Sequence, residues 1–267
     1  MKSIWAEEYD IVIIGSGFAG LSAAIEAGKV CPSVIVLEKM PVPGGNSSIS
    51  GGLFAAAGSP LQARERIMDS PELMLSDMLA AGLELNNKEL ARIVAEKSTE
   101  TLLWTIKELG VKYKPRLSHL GGHSVARTYN TANTSGSGII KPMLAKCRDM
   151  GIPIRLRTYL SQFILTKGGE MEGVAVRENY IFPNRESGVL KRIRARRAVI
   201  LATGGFSEDK EFRVIQDPKL TEDIESTNHQ GATAEGLIAA LKAGATPVQL
   251  SLIQLGPWAS RDEEGFG

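Results

Sequence analysis

Gly15, Gly17 and Gly20 stand in G-x-G-x-x-G spacing directly after four β-branched aliphatics, Ile11 to Ile14. An Ala-rich helical pattern opens at Phe18. Residue types in that order suit one chemistry, the cradling of a pyrophosphate by backbone rather than by side chains. Gly15 permits the tight turn off a strand, Gly17 lets backbone N–H groups approach phosphate, and Gly20 lets the helix lie close on the sheet. The helix start adds donors that lack intrahelical partners and the positive end of the dipole. A second apolar run, Val34 to Leu37, ends in Glu38. That acid lies 23 positions past Gly15 (38 − 15), close to the roughly 20 at which an acid meets ribose hydroxyls. Spaced glycines alone are a weak sign. A strand before, a helix after and an acid at the next strand's end make a dinucleotide site the reading.

The elements that must position these residues follow from periodicity. Ile11–Ile14 and Val34–Leu37 are short all-apolar runs, as parallel strands buried on both faces require. Residues 198–206, AVILATGGF, form another such run ending in glycines. Ligands of a doubly wound sheet sit at the carboxyl ends of its strands, so Ala202 to Gly205 are expected beside Gly15 to Gly20. The Gly/Ser/Pro loop from Pro41 to Gly52 is too long for a mere connector. Ser70-Pro71-Glu72 and Asn87 read as helix starts, the second helix ending at Gly110. Met68, Met74 and Met78 are expected in a core, and the second helix carries Leu90, Ile93, Val94, Leu102, Leu103 and Ile106 as its apolar residues. Residues 111–138 show no periodicity and precede a helix over about 139–150. Within them, HSVAR (123–127) reads as a surface loop with a solvated arginine, or as a segment beside the cofactor or substrate mouth. A β-meander is expected over about 152–197, beginning with Ile154, Leu156 and Thr158, with later strands near 160–166, 172–179 and 189–197. Arg192, Arg194, Arg196 and Arg197 are expected on the solvated side of an edge strand. A Gly/Thr loop at 231–236 opens a short helix, Leu237 to Lys242.

Composition narrows the classes. With 43% hydrophobic and 23% charged residues the 267-residue chain is an ordinary globular one. A net charge of +1 carries no nucleic-acid footprint, and 6% aromatics do not favour base stacking. No apolar run approaches the ~18 residues of a membrane span. The start, MKSIWAEEYD, has no signal-peptide apolar region, so a cytoplasmic or periplasmic location is expected. Cys31 and Cys147 form no CxxC, and His119, His123 and His229 have no metal-ligand spacing. No metal site is expected, and both thiols read as buried or incidental.

The segments 9–52, 198–206 and 226–257 together resemble the flavoprotein subunits of the fumarate reductase and succinate dehydrogenase family. The likeness is nearest to its soluble flavocytochrome c branch and the related enoate and 3-ketosteroid oxidoreductases. It implies an α/β fold: a Rossmann-like FAD-binding domain over about 1–250 with a parallel central sheet, an added β-meander and a helical insertion. Residues 251–267 would be the stub of a substrate-capping domain, with the closing FAD segment and the proton-donating arginine lying further along. By this resemblance Gly15, Gly17, Phe18, Ala19 and Gly20 meet the pyrophosphate and Glu38 the ADP ribose, and Lys39 matches a basic residue that commonly follows. Asn46 and Ser47 bind phosphate or flavin-proximal groups, and Gly51 and Gly52 lie against the isoalloxazine. Leu160 supplies a backbone contact to adenine, Ala202, Thr203 and Gly204 line the cofactor, and Glu235 stands for the acid of a TGDG motif that here reads Thr233-Ala234-Glu235-Gly236.

Two departures shape the expected function. Membrane-bound relatives attach FAD to a histidine where Gly45 stands here, so FAD is expected to be held non-covalently. The family's Q-x-H-P segment reads Gln254-Leu255-Gly256-Pro257. Glycine cannot grip a second substrate carboxylate, so fumarate itself is disfavoured. The expected activity is hydride transfer between flavin N5 and a C=C bond conjugated to a carbonyl or carboxylate of a small molecule. Electrons would come from a haem- or FMN-bearing domain or protein. No catalytic residue is assigned, because Arg127 does not match the family position. The alternatives are a non-catalytic FAD- or ADP-binding module and an NAD-dependent Rossmann dehydrogenase. The second does not account for the GGNSSISGG loop or the LATGGF strand.

Overall fold

The computed structural model describes residues 4–256. The chain divides into two compact units, one made of residues up to Asn46 together with those from Leu144 on, the other of Ser47–Met143.

In chain order the first unit begins with β1 (Glu7–Ile14), α1 (Phe18–Gly28) and β2 (Val34–Leu37). α2 (Gly45–Ile49) carries the chain into the second unit, which holds β3 (Leu53–Ala55), α3 (Pro60–Glu65), α4 (Pro71–Ala81), α5 (Lys88–Lys107), β4 (Tyr113–Ser118) and β5 (Thr128–Thr131). α6 (Ser137–Asp149) leads back to β6 (Ile154–Arg155), β7 (Thr158–Leu165), β8 (Met171–Glu178), β9 (Val189–Leu201), α7 (Lys210–Gln216) and α8 (Glu235–Lys242).

The first unit is built on a six-stranded sheet of order β6-β2-β1-β9-β8-β7. β1 lies between β2 and β9 and is parallel to both. Its last three residues, Val12, Ile13 and Ile14, are buried although they alternate in direction, as a covered parallel sheet demands, while Ile11 is half-buried. Val12, Ile14, Ile35, Leu37, Leu160, Val174, Val176, Ile193 and Ala195 form one cluster, closed by Ala239 of α8. Ile13 and Val36, of the opposite parity, are fully buried too.

Several expectations change here. Residues 189–206 are not an edge strand followed by a separate buried one. β9 is a single 13-residue strand at the middle of the sheet, antiparallel to β8 in its first half and parallel to β1 in its second. The arginines do take its exposed side, because Ile193 and Ala195 take the core side. Arg196 Nε donates to Asp10 at 2.9 Å, and Arg197 Nη1 lies 3.1 Å from the buried Cys31 Sγ. Residues 154–155 do not open the meander; they pair with β2 at the parallel edge. The meander is β7-β8-β9, continuous with the main sheet. Both cysteines are buried. Most of the 251–267 stub lies outside the described residues, Pro257 among them. No helix among the described residues is long and apolar enough to cross a membrane.

The second unit is not purely helical. Residues 111–138, which read as irregular, supply β4 and β5, and β5 pairs on its other side with β3. Both helix starts fall as expected: Ser70 Oγ accepts from Leu73 N at 3.2 Å and Asn87 Oδ1 from Leu90 N at 3.1 Å. The buried face of α5 is not the one its large residues mark. Ala91, Ala95, Ser98, Leu102 and Thr105 are buried, whereas Leu90, Ile93, Val94 and Ile106 are exposed. Small residues allow the helix to come close enough for Thr99 Oγ1 to donate to Ala57 O and Ser98 Oγ to accept from Ala57 N. Met74 is buried and Met68 is exposed.

Arg127 departs furthest from the solvated loop residue expected. It is 1% exposed. Nε and Nη2 donate to the two oxygens of Asp69 at 3.0 and 2.9 Å, and Nη1 to Asp77 at 2.7 Å. Gln62 Nε2 adds a 2.7 Å bond to Asp69. A guanidinium so enclosed holds α3, α4 and the β5 entry to one another, and its removal leaves the buried Asp69 carboxylate and the largely covered Asp77 carboxylate without their cation. Arg127→Met is therefore expected to lower stability by about 3–5 kcal/mol, read by urea unfolding. Adding Asp69→Asn and Asp77→Asn to that variant should recover part of the loss.

Candidate dinucleotide site

The register of the first unit brings three strand ends level. Ile14 pairs with Leu37 on one side and Leu201 on the other. The next residues of the three strands, Gly15, Glu38 and Ala202, therefore leave the sheet side by side. Ala202 N donates to Ile14 O at 2.8 Å, and Gly15 N to Leu37 O at 2.8 Å. This is the carboxyl edge where open α/β sheets take their ligands.

The glycines are required by their own surroundings. Gly15 has φ +106°, and a Cβ there would lie 2.4 Å from Ala202 O. A Cβ on Gly20 would lie 1.9 Å from Gly15 O. The first turn of α1 thus rests on the turn after β1 and on Ala202. Gly17 stands at the N-cap of the 11-residue α1 and makes no side-chain hydrogen bond, so no polar side chain at that position covers the positive end of the helix. Phe18 and Ala19 complete that first turn. The residues fit a pyrophosphate: the turn and the helix start come together only because main chain takes the space of a Cβ at Gly15 and Gly20, the close strand–turn–helix packing that such a site needs.

Glu38 is buried and already engaged. Its Oε2 accepts from Ser16 Oγ at 2.5 Å and Ser16 N at 3.2 Å, and its Oε1 from Met40 N at 2.9 Å. Ser16 Oγ in turn accepts from Gly44 N at 3.0 Å. Thr158 N donates to Glu38 O at 2.8 Å, which ties the start of β7 to the acid.

Lys39 and Glu235, far apart in sequence, meet. Lys39 Nζ lies 3.1 Å from Glu235 Oε2, bonds to the Thr233 hydroxyl, and stands 5.7 Å from the centre of the Phe182 ring. Thr233 also donates to Glu235. Burial pushes the Glu235 carboxyl up, but the Lys39 ammonium and the Thr233 hydroxyl more than offset it and hold it below its ordinary 4.5. α8 is seated by Gly236, where a Cβ would lie 2.8 Å from the Thr203 methyl. Gly204, at φ +74°, has open space around it.

Leu160 places its side chain in the core and its backbone on β7, the sheet's edge strand, at a bulge opposite Val176. Nearby, Tyr159 stacks on Tyr180 at 4.8 Å, and the buried Tyr180 hydroxyl has no hydrogen-bond partner. A cleft of ≈ 400 Å³ opens between β7 and α8, lined by Tyr159, Phe163, Arg185, Glu235 and Lys242 among others. Gly45, at φ +46°, has nothing within 4 Å of where a Cβ would stand. Asn46 accepts from His229 N at 2.6 Å and donates to Asn228 at 2.7 Å.

The structure thus gathers Gly15, Gly17, Phe18, Ala19, Gly20, Glu38, Lys39, Gly45, Asn46, Leu160, Ala202, Thr203, Gly204 and Glu235 in one unit. Ser47, Gly51 and Gly52 belong to the other. There Gly52, at φ +65°, is packed so that a Cβ would lie 2.3 Å from Thr131 Oγ1, while Gly51 meets only Leu53. Ser16, Thr233 and Tyr180 were not singled out by spacing. Ser16 is a free position of the glycine pattern, and only its place between Gly15 and the acid at β2's end hints at its role.

The family described as FAD binding domain matches residues 10–266. The chain is 50% identical over 264 residues to the acrylate reductase flavoprotein subunit of Shewanella woodyi, covering 98% of this chain and 52% of that protein. It is 31% identical over 251 residues to the urocanate reductase of Eggerthella lenta, covering 94% of this chain and 40% of that one. Among solved structures it resembles the open conformation of a flavocytochrome c3 fumarate reductase, with a TM-score of 0.88 at 29% identity over 97% of this chain and 44% of the other. The chain spans about half the length of the relatives it matches.

The Lys39–Glu235 pair has a pH signature. A carboxyl whose folded pKa is depressed adds stability above its unfolded value, here 4.5, and loses it as pH falls through the folded value. Lys39→Met is expected to cost about 2 kcal/mol at neutral pH. The gap between its urea midpoint and that of the unaltered chain should narrow steadily as the pH is taken below 4.5.

Proposed function

Because the chain belongs to the FAD binding domain family, we propose that it is the cofactor-holding part of a flavin-dependent reductase acting on C=C bonds conjugated to a carboxylate. The observation that carries this reading is the turn where the ends of β1, β2 and β9 meet at Gly15, Glu38 and Ala202 and where main chain leaves no room for a Cβ at Gly15 or Gly20. FAD, when bound, supplies the two-electron chemistry that saturates the double bond.

The residues divide the work of holding it. The backbone of Gly15 to Gly20 and the start of α1 take the pyrophosphate. Glu38 accepts from the adenosine ribose. Ala202, Thr203 and Gly204 line the cofactor, and the backbone of Leu160 faces adenine. Lys39, Thr233 and Glu235 lock the end of β2 to the start of α8 and so keep the site's two sides in place. Asn46 and Ser47 reach flavin-proximal groups, and Gly51 and Gly52 lie against the ring. Attachment is non-covalent, since Gly45 offers no side chain where membrane-bound relatives use histidine.

The substrate is a small 2-enoate with one carboxylate. The 50% identity with an acrylate reductase subunit supports this, as does Gly256, which brings no imidazole for a second carboxylate. Electrons come from a haem- or flavin-bearing partner, as the flavocytochrome relatives suggest.

Titrating the purified chain with FAD should give flavin bands near ~450 nm that co-elute with protein, and acid precipitation should release all the colour. Colour left in the pellet would contradict non-covalent attachment. A chain that stays colourless, or that binds ADP as tightly as FAD, would be an adenine-nucleotide module and not a flavoprotein. For the substrate, the protein from its complete reading frame, supplied with a reduced viologen dye, should oxidise the dye faster with acrylate than with fumarate. The reverse order would overturn the 2-enoate assignment.

A further inference from the structure

Ser16 sits at a position the glycine pattern leaves open, yet it is completely buried and every polar atom of its side chain is used. Its hydroxyl donates to Glu38 Oε2 at 2.5 Å and accepts from Gly44 N at 3.0 Å. Its N–H meets the same carboxylate oxygen at 3.2 Å. One hydroxyl therefore ties together the turn after β1, the acid at the end of β2 and the glycine pair Gly44-Gly45 that follows.

The consequence lies in how Glu38 can meet a ligand. An ionised carboxylate offers about four lone-pair sites. Ser16 Oγ, Ser16 N and Met40 N occupy three of them. What remains points in one direction, fixed before any ligand arrives. A side chain already held in its binding rotamer loses little further entropy when it accepts a hydroxyl. We infer that Ser16 is a positioning residue that orients Glu38 as a preset acceptor for the adenosine ribose, and so sets the preference for ribo- over 2′-deoxyribonucleotides. This rests on the assignment of Glu38 to the ribose. A merely structural serine would support the turn and help all nucleotides alike; a positioning serine acts only through Glu38 and only on ligands with the hydroxyl.

The test is calorimetric titration of the purified chain with ADP and with 2′-deoxy-ADP, using Ser16→Ala, Glu38→Gln and the double variant, with melting temperatures to confirm folding. The unaltered chain should prefer ADP. Ser16→Ala should cut that preference by about three- to tenfold while changing 2′-deoxy-ADP binding little. In the Glu38→Gln background the same change should have no further effect on the ratio. If Ser16→Ala does not fold, Ser16→Cys keeps the volume, removes the strong donor and should give the same loss of preference. Equal weakening for both nucleotides, or an effect of Ser16→Ala on the ratio that persists beside Glu38→Gln, would overturn the role for Ser16 and leave Glu38's intact. No preference for ADP in the unaltered chain would remove both.

Discussion

The site depends on a close approach between backbones. Gly15 and Gly20 leave space for no Cβ, and what blocks it is main chain: the carbonyls of Ala202 and Gly15. Main chain cannot step aside as the end of a flexible side chain can. The contact thus locks α1 and the continuation of β9 around the turn after β1. It is possible only because Ile14, Leu37 and Leu201 stand level across the sheet. A slip of one residue in a strand would turn its apolar residues to the other face, and Val12, Ile35 and Ile193 hold the register by their burial in one core. Core packing, strand register and phosphate cradle are successive results of the same apolar pattern.

Above that core the polar groups form two ties. Ser16, Glu38, Met40 and Gly44 connect the turn to the chain after β2; Lys39, Thr233 and Glu235 connect that chain to α8. Both are buried or half-buried, so each donor matters more than it would in water and each lost partner costs more. Adjacent residues, Glu38 and Lys39, anchor the two ties in opposite directions. The end of β2 is consequently a fixed post.

What the sequence discloses follows this division. Local patterns with a strict steric cause were legible: the glycine spacing, the acid after β2, the caps at Ser70 and Asn87. Contacts chosen by partners remote in the chain were not. Arg127 looked solvated because nothing near it in sequence is acidic, whereas Asp69 reaches it from the loop before α4 and Asp77 from α4 itself. β9 looked like two strands because its arginines and its apolar run differ in character, yet both meet the needs of one strand with an antiparallel neighbour on one side and a parallel one on the other. The buried face of α5 was not legible because Leu90, Ile93, Val94 and Ile106 lie away from the face where Leu102 and the small residues pack.

Charge at the strand ends has a last implication. None of the residues proposed to hold the cofactor at the strand ends, Gly15 to Gly20 at the pyrophosphate and Ala202 to Gly204 beside it, carries a cation. Lys39, the residue after Glu38, is held by Glu235 and Thr233. Glutamate at position 235 is one methylene longer than the aspartate of the TGDG motif, and in this chain its carboxylate is bonded to that lysine. In the proposed site, attraction for a diphosphate would therefore fall on backbone N–H groups and the dipole of α1. Such a site would bind by geometry more than by net charge. Its dipoles are fixed by the same Gly15–Gly20–Ala202 contact that closes the fold, so the cradle stays in shape whether or not an anion is there to fill it.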